Sequence, residues 1–264
     1  MSFTVAQISD MHLSVRHEAF RANFTLVAAA VLAARPDHTV LSGDLSRDGA
    51  GEEADLAYAA SCCWSLGPAW AVPGNHDVGE ALHVPAQPVT AARLRRFRQH
   101  FGPDRWLVDH AGWRLLGLNS QVLGTGLEEE AQAGFIEEAL ATLGERRLAV
   151  FMHKPAFVRE LAETEFAYWT VPPAARATLS SVLMHPALRL VASGHLHLRH
   201  TVQLGRVLHQ WAPSVGFVVR PEDQGGLPGE RVCGALLHRF EVDHVETTLL
   251  VPAGMACAVV HDGV

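Results

Sequence analysis

The chain reads as an α/β fold, and three observations carry that reading. Apolar runs of strand length alternate with helix-length segments through the first half of the sequence. The runs are apolar along their whole length, as strands buried on both faces are. Polar side chains then appear abruptly beyond their carboxyl ends, where an open α/β sheet presents a site.

Phe3 to Ile8 is the first strand and runs into Ser9-Asp10-Met11-His12. Asp10 and His12 stand two apart, so on extended backbone a carboxylate and an imidazole address one point. Phe20 to Ala34, without internal Gly or Pro and closed by Arg35-Pro36, is a helix. His38 to Leu41 is a short second strand ending in Ser42-Gly43-Asp44, with Gly43 letting backbone approach a ligand without an intervening Cβ. Glu52 to Leu66 is a second helix, stopped by Gly67-Pro68. The third strand, from Ala69 to Val72, then delivers the turn-forming box Gly74-Asn75-His76-Asp77. Strand, helix, strand, helix, strand in that order implies right-handed crossovers and a parallel sheet with the polar clusters on one edge.

Val78 to Pro88 lacks periodicity and reads as a loop beside the site. Thr90 to Phe101 is a helix whose Arg93, Arg95, Arg96 and Arg98 form a solvated face rather than a nucleic-acid surface. Arg114 to Leu118 is a strand, Glu128 to Leu143 a helix, and Leu148 to Met152 a strand that delivers His153-Lys154-Pro155. Residues 156–171 mix Phe157, Arg159, Phe166, Tyr168 and Trp169 with acids, as a lid or a partner-contact segment would. A helix from Pro172-Pro173 to Met184 and a strand from Leu188 to Ala192 lead into Gly194-His195-Leu196-His197, which repeats the two-residue spacing of Asp10 and His12. Thr201 to Val207, Val215 to Val219, Ala235 to Val242 and Thr247 to Val251 are the remaining strands. With no composition break and no repeat, residues 1–264 are read as one domain.

The bulk properties narrow the function. A chain of 264 residues with 48% hydrophobic and 19% charged residues buries a sizeable core. A net charge of -7 weighs against nonspecific attraction to nucleic acid or an anionic membrane. Cys62, Cys63, Cys233 and Cys257 show no Cys-x-x-Cys spacing, so a reduced, cytoplasmic setting is expected. No basic segment precedes an apolar core at the amino terminus, and no stretch reaches the ~18 apolar residues of a membrane span, so neither a signal peptide nor a membrane is expected.

Counted together, the strand ends offer Asp10, His12, Asp44, Asn75, His76, His153, His195 and His197. Oxygen and imidazole donors without thiolate suit Mn, Fe or Zn. The set exceeds what one tetrahedral ion needs, whereas two ions sharing a carboxylate at the ~3.5 to 4 Å spacing of two-metal sites would use it. Joint placement after five strands argues against accident.

Asp10-x-His12, Gly43-Asp44 with Gly49 following, Gly74-Asn75-His76-Asp77, the lone His153 and Gly194-His195-x-His197 form an ordered set over residues 10–197. That set resembles the calcineurin-like metallophosphoesterase superfamily. The resemblance implies a four-layer αββα sandwich of two mixed β-sheets flanked by helices, with the carboxyl-terminal strands in the second sheet. It implies one metal held by Asp10, His12, Asp44 and His197, and another held by Asp44, Asn75, His153 and His195. It also implies a catalytic, non-ligand role for His76, in phosphate binding or protonation of the leaving oxygen. The expected reaction is attack of metal-bound hydroxide on phosphorus, with an imidazole, a side chain able to donate a proton near neutral pH, supplying the proton. Asp48 or Asp77 could orient an imidazole through its distal nitrogen, or serve a turn.

The protein serine/threonine phosphatases of the superfamily carry Gly-Asp-x-Val-Asp-Arg-Gly and Gly-Asn-His-Glu. Here the stretches are Gly43-Asp44-Leu45-Ser46-Arg47-Asp48-Gly49 and a box ending in Asp77. The sequence looks more like the bacterial cyclic nucleotide phosphodiesterase and glycerophosphodiesterase branch, so a small-molecule phosphodiester is the expected substrate. A nuclease, a phosphomonoesterase or a noncatalytic scaffold are the alternatives. Arg47, Lys154, Arg159 and Arg199 are candidate partners for substrate charge, and Trp169 or Tyr168 for stacking. Exposed edges of a second sheet could pair subunits into a homo-oligomer.

Overall fold

Alternation along the first strand, β1 (Phe3–Ile8), sets the layer order. Phe3 and Val5 point into one apolar layer, and Ala6 and Ile8 into another. The chain continues through α1 (Arg21–Ala34), β2 (His38–Ser42), α2 (Glu53–Cys63), β3 (Trp70–Val72), α3 (Asn75–Val78), α4 (Ala91–Phe101), β4 (Trp106–His110) and β5 (Trp113–Gly117). It then forms α5 (Glu129–Ala141), β6 (Arg147–Phe151), α6 (Ser180–Leu183), β7 (Leu188–Ser193), β8 (His200–Leu204) and β9 (Val207–Trp211). Last come β10 (Phe217–Val219), β11 (Ala235–Phe240), β12 (Val245–Leu250) and β13 (Ala258–Val260). This structure is a computed structural model describing residues 2–80, 87–165 and 168–260; part of the expected 78–88 loop, and Phe166 of the 156–171 segment, lie outside the described residues.

Two mixed sheets, ordered β12-β11-β1-β2-β3 and β4-β5-β6-β7-β9-β8, pack face to face. Between them lie Val5, Val40 and Val72 of the first sheet and Leu115, Phe151 and Leu190 of the second. Outside the first sheet Ile8 and Leu41 pack on Val27 of α1, Leu56 of α2 and Phe97 of α4. Outside the second, Leu116 and Val150 pack on Ile136 of α5 and Val182 of α6. This is the αββα sandwich. Because β1, β2 and β3 are mutually parallel, as are β5, β6, β7 and β9, their carboxyl ends gather at one rim of the sandwich.

Several expectations need correction. The carboxyl-terminal strands do not all enter the second sheet: β11 pairs antiparallel with β1, placing Phe240 opposite Phe3, and β12 follows it. That pairing covers the outer edge of β1, whose N–H and C=O groups would otherwise stay open. The single strand read from Thr201 to Val207 is the hairpin β8–β9, turned at Gly205-Arg206. Strands β4 and β13 lie outside the expected set, and only Phe217–Val219 of the expected Val215 strand is extended in a ladder. The helix expected from Pro172 is 3-10 over Pro173–Leu179 before one α turn. The box after β3 is a helical turn, α3.

The arginines of α4 are not simply a solvated face. Arg93 and Arg96 donate to the Ala50 carbonyl at 2.7 and 2.8 Å, bracing the loop after β2, and Arg98 pairs with Asp104 and Glu128. Residues 156–165 and 168–171 are held by the Arg176 guanidinium, which donates to the carbonyls of Leu161, Glu163 and Val171.

Candidate metal centre

The expected site residues converge at the common rim. Asp10, His12, Asp44 and His197 place donor atoms within 4.8 Å of one another, and Asp44, His153 and His195 do the same. Asp44 belongs to both clusters. Its Oδ2 lies 3.3 Å from His153 Nε2 and 3.9 Å from His12 Nε2, so one oxygen faces both, while Oδ1 accepts the His76 N–H at 2.9 Å. Asn75 Oδ1 is 3.2 Å from His153 Nε2, which adds it to the second cluster. His197 Nε2 is 3.3 Å from Asp10 Oδ1 and 3.1 Å from His12 Nε2. All these side chains are buried except Asn75 and His76, which are half-buried and mark the open side.

Asp10 and His12, and His195 and His197, do converge as their spacing predicts, but not on extended backbone. Neither pair is extended: φ is 54° and 48° at the first pair and 71° and 51° at the second, with Asp44 at 49°. The left-handed region costs a non-glycine residue about 1–2 kcal/mol, and Asp and His are among the side chains found there more often. Such strain persists where surrounding bonds over-determine it. Here the Asp10 and His12 N–H groups donate to the carbonyls of Gly43 and Asp44, each at 3.0 Å, and the Asp10 carboxylate accepts the His195 N–H.

Gly43, expected to give a ligand access, instead makes room for a site residue, and Gly74 does the same. A Cβ on Gly43 would meet the His153 ring at 2.4 Å, and one on Gly74 would lie 2.2 Å from Asp44 Oδ1 and 2.3 Å from its backbone N.

Orientation of the imidazoles comes from main-chain carbonyls, not from Asp48 or Asp77. His153, His76 and His197 each donate Nδ1–H, to Ser42 (2.8 Å), Arg47 (2.7 Å) and Phe217 (3.0 Å). Their Nε2 atoms are thereby turned toward the site, to carry a lone pair for a metal or, without one, a proton. No side-chain signal in the sequence marks such carbonyls. Asp48 serves its own loop, accepting from Gly51 N–H and the Gln87 amide. Asp77 accepts from the N–H groups of Leu45, Ser46 and Gly74 and from the Ser46 hydroxyl, at 2.7 to 3.2 Å, locking the box to the Asp44 loop. Asp77→Ala strands those buried donors and is expected to cost about 3–5 kcal/mol of stability, with Asn milder, as urea denaturation of the metal-free protein would measure.

This donor set fits cations. Lone pairs of His197, His153, Asn75 and Asp44 face one another, and His195 Nε2 is buried without a hydrogen-bond partner. Acceptors converging without a donor repel unless a proton or metal lies between them. Burial lowers His12 and His195 well below the usual imidazole range, which keeps them neutral. Burial opposes ionisation of both Asp44 and His153, yet their mutual attraction prevails, holding Asp44 well down and pushing His153 up to about 9. Burial and the Asp44 charge push Asp77 up to about 6.

The His153 shift has a definite sign. A raised imidazole contributes stability that is fully present below its unfolded pKa of ~6.5 and is lost as pH rises through about 9. Metal-free protein is therefore expected to lose stability across that window. A metal must displace the His153 proton, so uptake at pH 7.5 should release protons, read by calorimetry in buffers of differing ionisation enthalpy. Uptake without proton release would contradict the geometry.

A sequence model described as calcineurin-like phosphoesterase matches residues 3–199. The chain belongs to the calcineurin-like phosphoesterase family. Within reach of this family match, the chain is 28% identical over 208 residues to a probable cyclic nucleotide phosphodiesterase of Synechococcus, covering 75% of this chain and 74% of that protein. It is 27% identical over 176 residues to the human serine/threonine-protein phosphatase CPPED1, covering 62% of this chain and 54% of the relative. The chain thus spans only about half of the human relative. In fold it resembles a dimetal phosphatase of Danio rerio, with a TM-score of 0.65 at 14% identity over 94% of this chain and 96% of the other. Among the described residues no helix is long and apolar enough to cross a membrane.

Proposed function

We propose that this calcineurin-like phosphoesterase is a phosphodiesterase of small molecules, cyclic nucleotides or glycerophosphodiesters, working with two metal ions of the Mn, Fe or Zn type. The observation that carries the reading is Asp44 Oδ2, a single buried carboxylate oxygen facing imidazoles of both clusters. Asp10, His12, Asp44 and His197 would hold one ion, and Asp44, Asn75, His153 and His195 the other. Bound there, two cations would lower the pKa of a water and neutralise phosphate oxygens. His76 stands outside both sets, its ring edge-on to His12 with centroids 4.7 Å apart. Because its Nδ1–H is committed to Arg47, the proton it exchanges is on Nε2, suited to a phosphate oxygen or the leaving group.

The whole chain is proposed to act as one catalytic domain, since both sheets contribute to the same cluster, with residues 156–165 and 168–171 as a cover or partner-contact segment. Four free cysteines favour a reducing, cytoplasmic setting. The diester preference is supported by the name of the Synechococcus relative and by the departures from the protein-phosphatase motifs. The human relative's name favours the second reading, a phosphomonoesterase.

A substrate panel separates them. With Mn- or Fe-loaded protein, bis(p-nitrophenyl) phosphate, a cyclic nucleotide or a glycerophosphodiester is expected to exceed p-nitrophenyl phosphate in kcat/KM by about ten-fold or more. The reverse order would establish the monoesterase. Hydrolysis of no ester by fully loaded protein would remove the enzyme.

A further inference from the structure

Lys154 directly follows His153, and its backbone N–H is fixed by the Ser120 hydroxyl at 2.9 Å. Its ammonium forms an ion pair with Glu80, just beyond α3, and both side chains are only 5% exposed. The pair therefore ties the strand end carrying His153 to the helical turn carrying Asn75 and His76. The ammonium also lies 5.8 Å from the centre of the Tyr168 ring. Tyr168 packs edge-on against Trp169, which stands beside His195 with ring centroids 6.3 Å apart. Through Tyr168 and Trp169 the ion pair therefore stands behind His195 of the second cluster.

A buried ion pair contributes little net stability compared with apolar residues of the same volume. Its charges, however, are poorly screened and act over several ångströms. A phosphodiester carries one negative charge at neutral pH, and a monoester carries about 1.5 to 2. A free ammonium in this wall would therefore favour the monoester.

We propose that Glu80 is a specificity-determining residue: by cancelling the charge of Lys154 it withholds the extra cation a monoester dianion needs, and so sets the preference for singly charged diesters. This rests on the phosphodiesterase reading above. The two residues form a charge switch in which Glu80→Gln leaves the wall at +1, Lys154→Met leaves it at -1, and the double variant restores neutrality.

The test is calorimetric binding of orthophosphate and dimethyl phosphate at pH 8 to metal-loaded protein, with kcat/KM for a monoester and a diester measured alongside. Glu80→Gln is expected to raise the orthophosphate-to-dimethyl-phosphate affinity ratio by about ten-fold or more, and Lys154→Met to lower it comparably. The double variant, whose apolar replacement keeps the fold should Glu80→Gln lose it, is expected to return near the wild-type ratio. Ratios within about two-fold of wild type in all folded, metal-loaded variants would overturn the proposal. A flat series in an enzyme that hydrolyses diesters sinks this inference alone, whereas failure of the wild type to hydrolyse any ester sinks the reading beneath it.

Discussion

Asp44→Ala is expected to empty both clusters at once and to lower kcat/KM by about 10⁴-fold or more, since a two-metal site loses its activated nucleophile and its clamp on phosphorus together. The expectation follows from one atom. Asp44 Oδ2 is the oxygen that reaches toward both His12 and His153, so among the described residues no other single substitution removes a donor from both clusters. His195→Ala, by contrast, removes a donor from the second cluster alone. Elemental analysis of the two purified variants makes the comparison. Retention of one full equivalent of metal by Asp44→Ala would contradict a shared carboxylate.

His76→Ala should behave oppositely, keeping both metals while kcat falls about 10²- to 10⁴-fold, the usual worth of a positioned proton donor. The ring touches the first cluster only edge-on, and its Nδ1 is spent on Arg47. If Nε2 protonates the leaving oxygen, the loss depends on the leaving group. It should be large for an alkoxide, as from a glycerophosphodiester, and small for p-nitrophenolate, which leaves without help. Equal losses on both would transfer His76 to phosphate binding, and an unchanged rate would remove its role.

What was legible in the sequence is the set of strand ends. Val40-Leu41 and Val150-Phe151 are apolar because both faces of their sheets are covered, so the first polar residue after each run is conspicuous. All eight expected residues lie at the rim for that reason. The means of convergence was not legible. Left-handed backbone at Asp10, His12, Asp44, His195 and His197 is imposed by ladder bonds from Gly43, Asp44 and neighbouring chain, which no local pattern encodes. Carbonyls that orient imidazoles are equally silent, since every residue has one.

Strand partnership was hidden for a related reason. The largely buried β11 would suit a place beside the edge strand of either sheet; only the bare edge of β1 decides between them. Strand β4 carries a weak sequence signal because Trp106-Leu107-Val108 is short and follows Gly102-Pro103, though its Trp106 indole spans the sheets to donate to the Ala71 carbonyl at 2.9 Å. Ion-pair geometry, as at Glu80 and Lys154, joins residues 74 positions apart and is invisible to spacing.

The most direct test of the central claim is anomalous diffraction from crystals of the protein loaded with Mn(II). The account predicts two peaks flanking the Asp44 carboxylate at the ~3.5 to 4 Å separation of two-metal sites, one beside Asp10, His12 and His197 and the other beside Asn75, His153 and His195. A single peak, or two peaks that do not share Asp44, would contradict it.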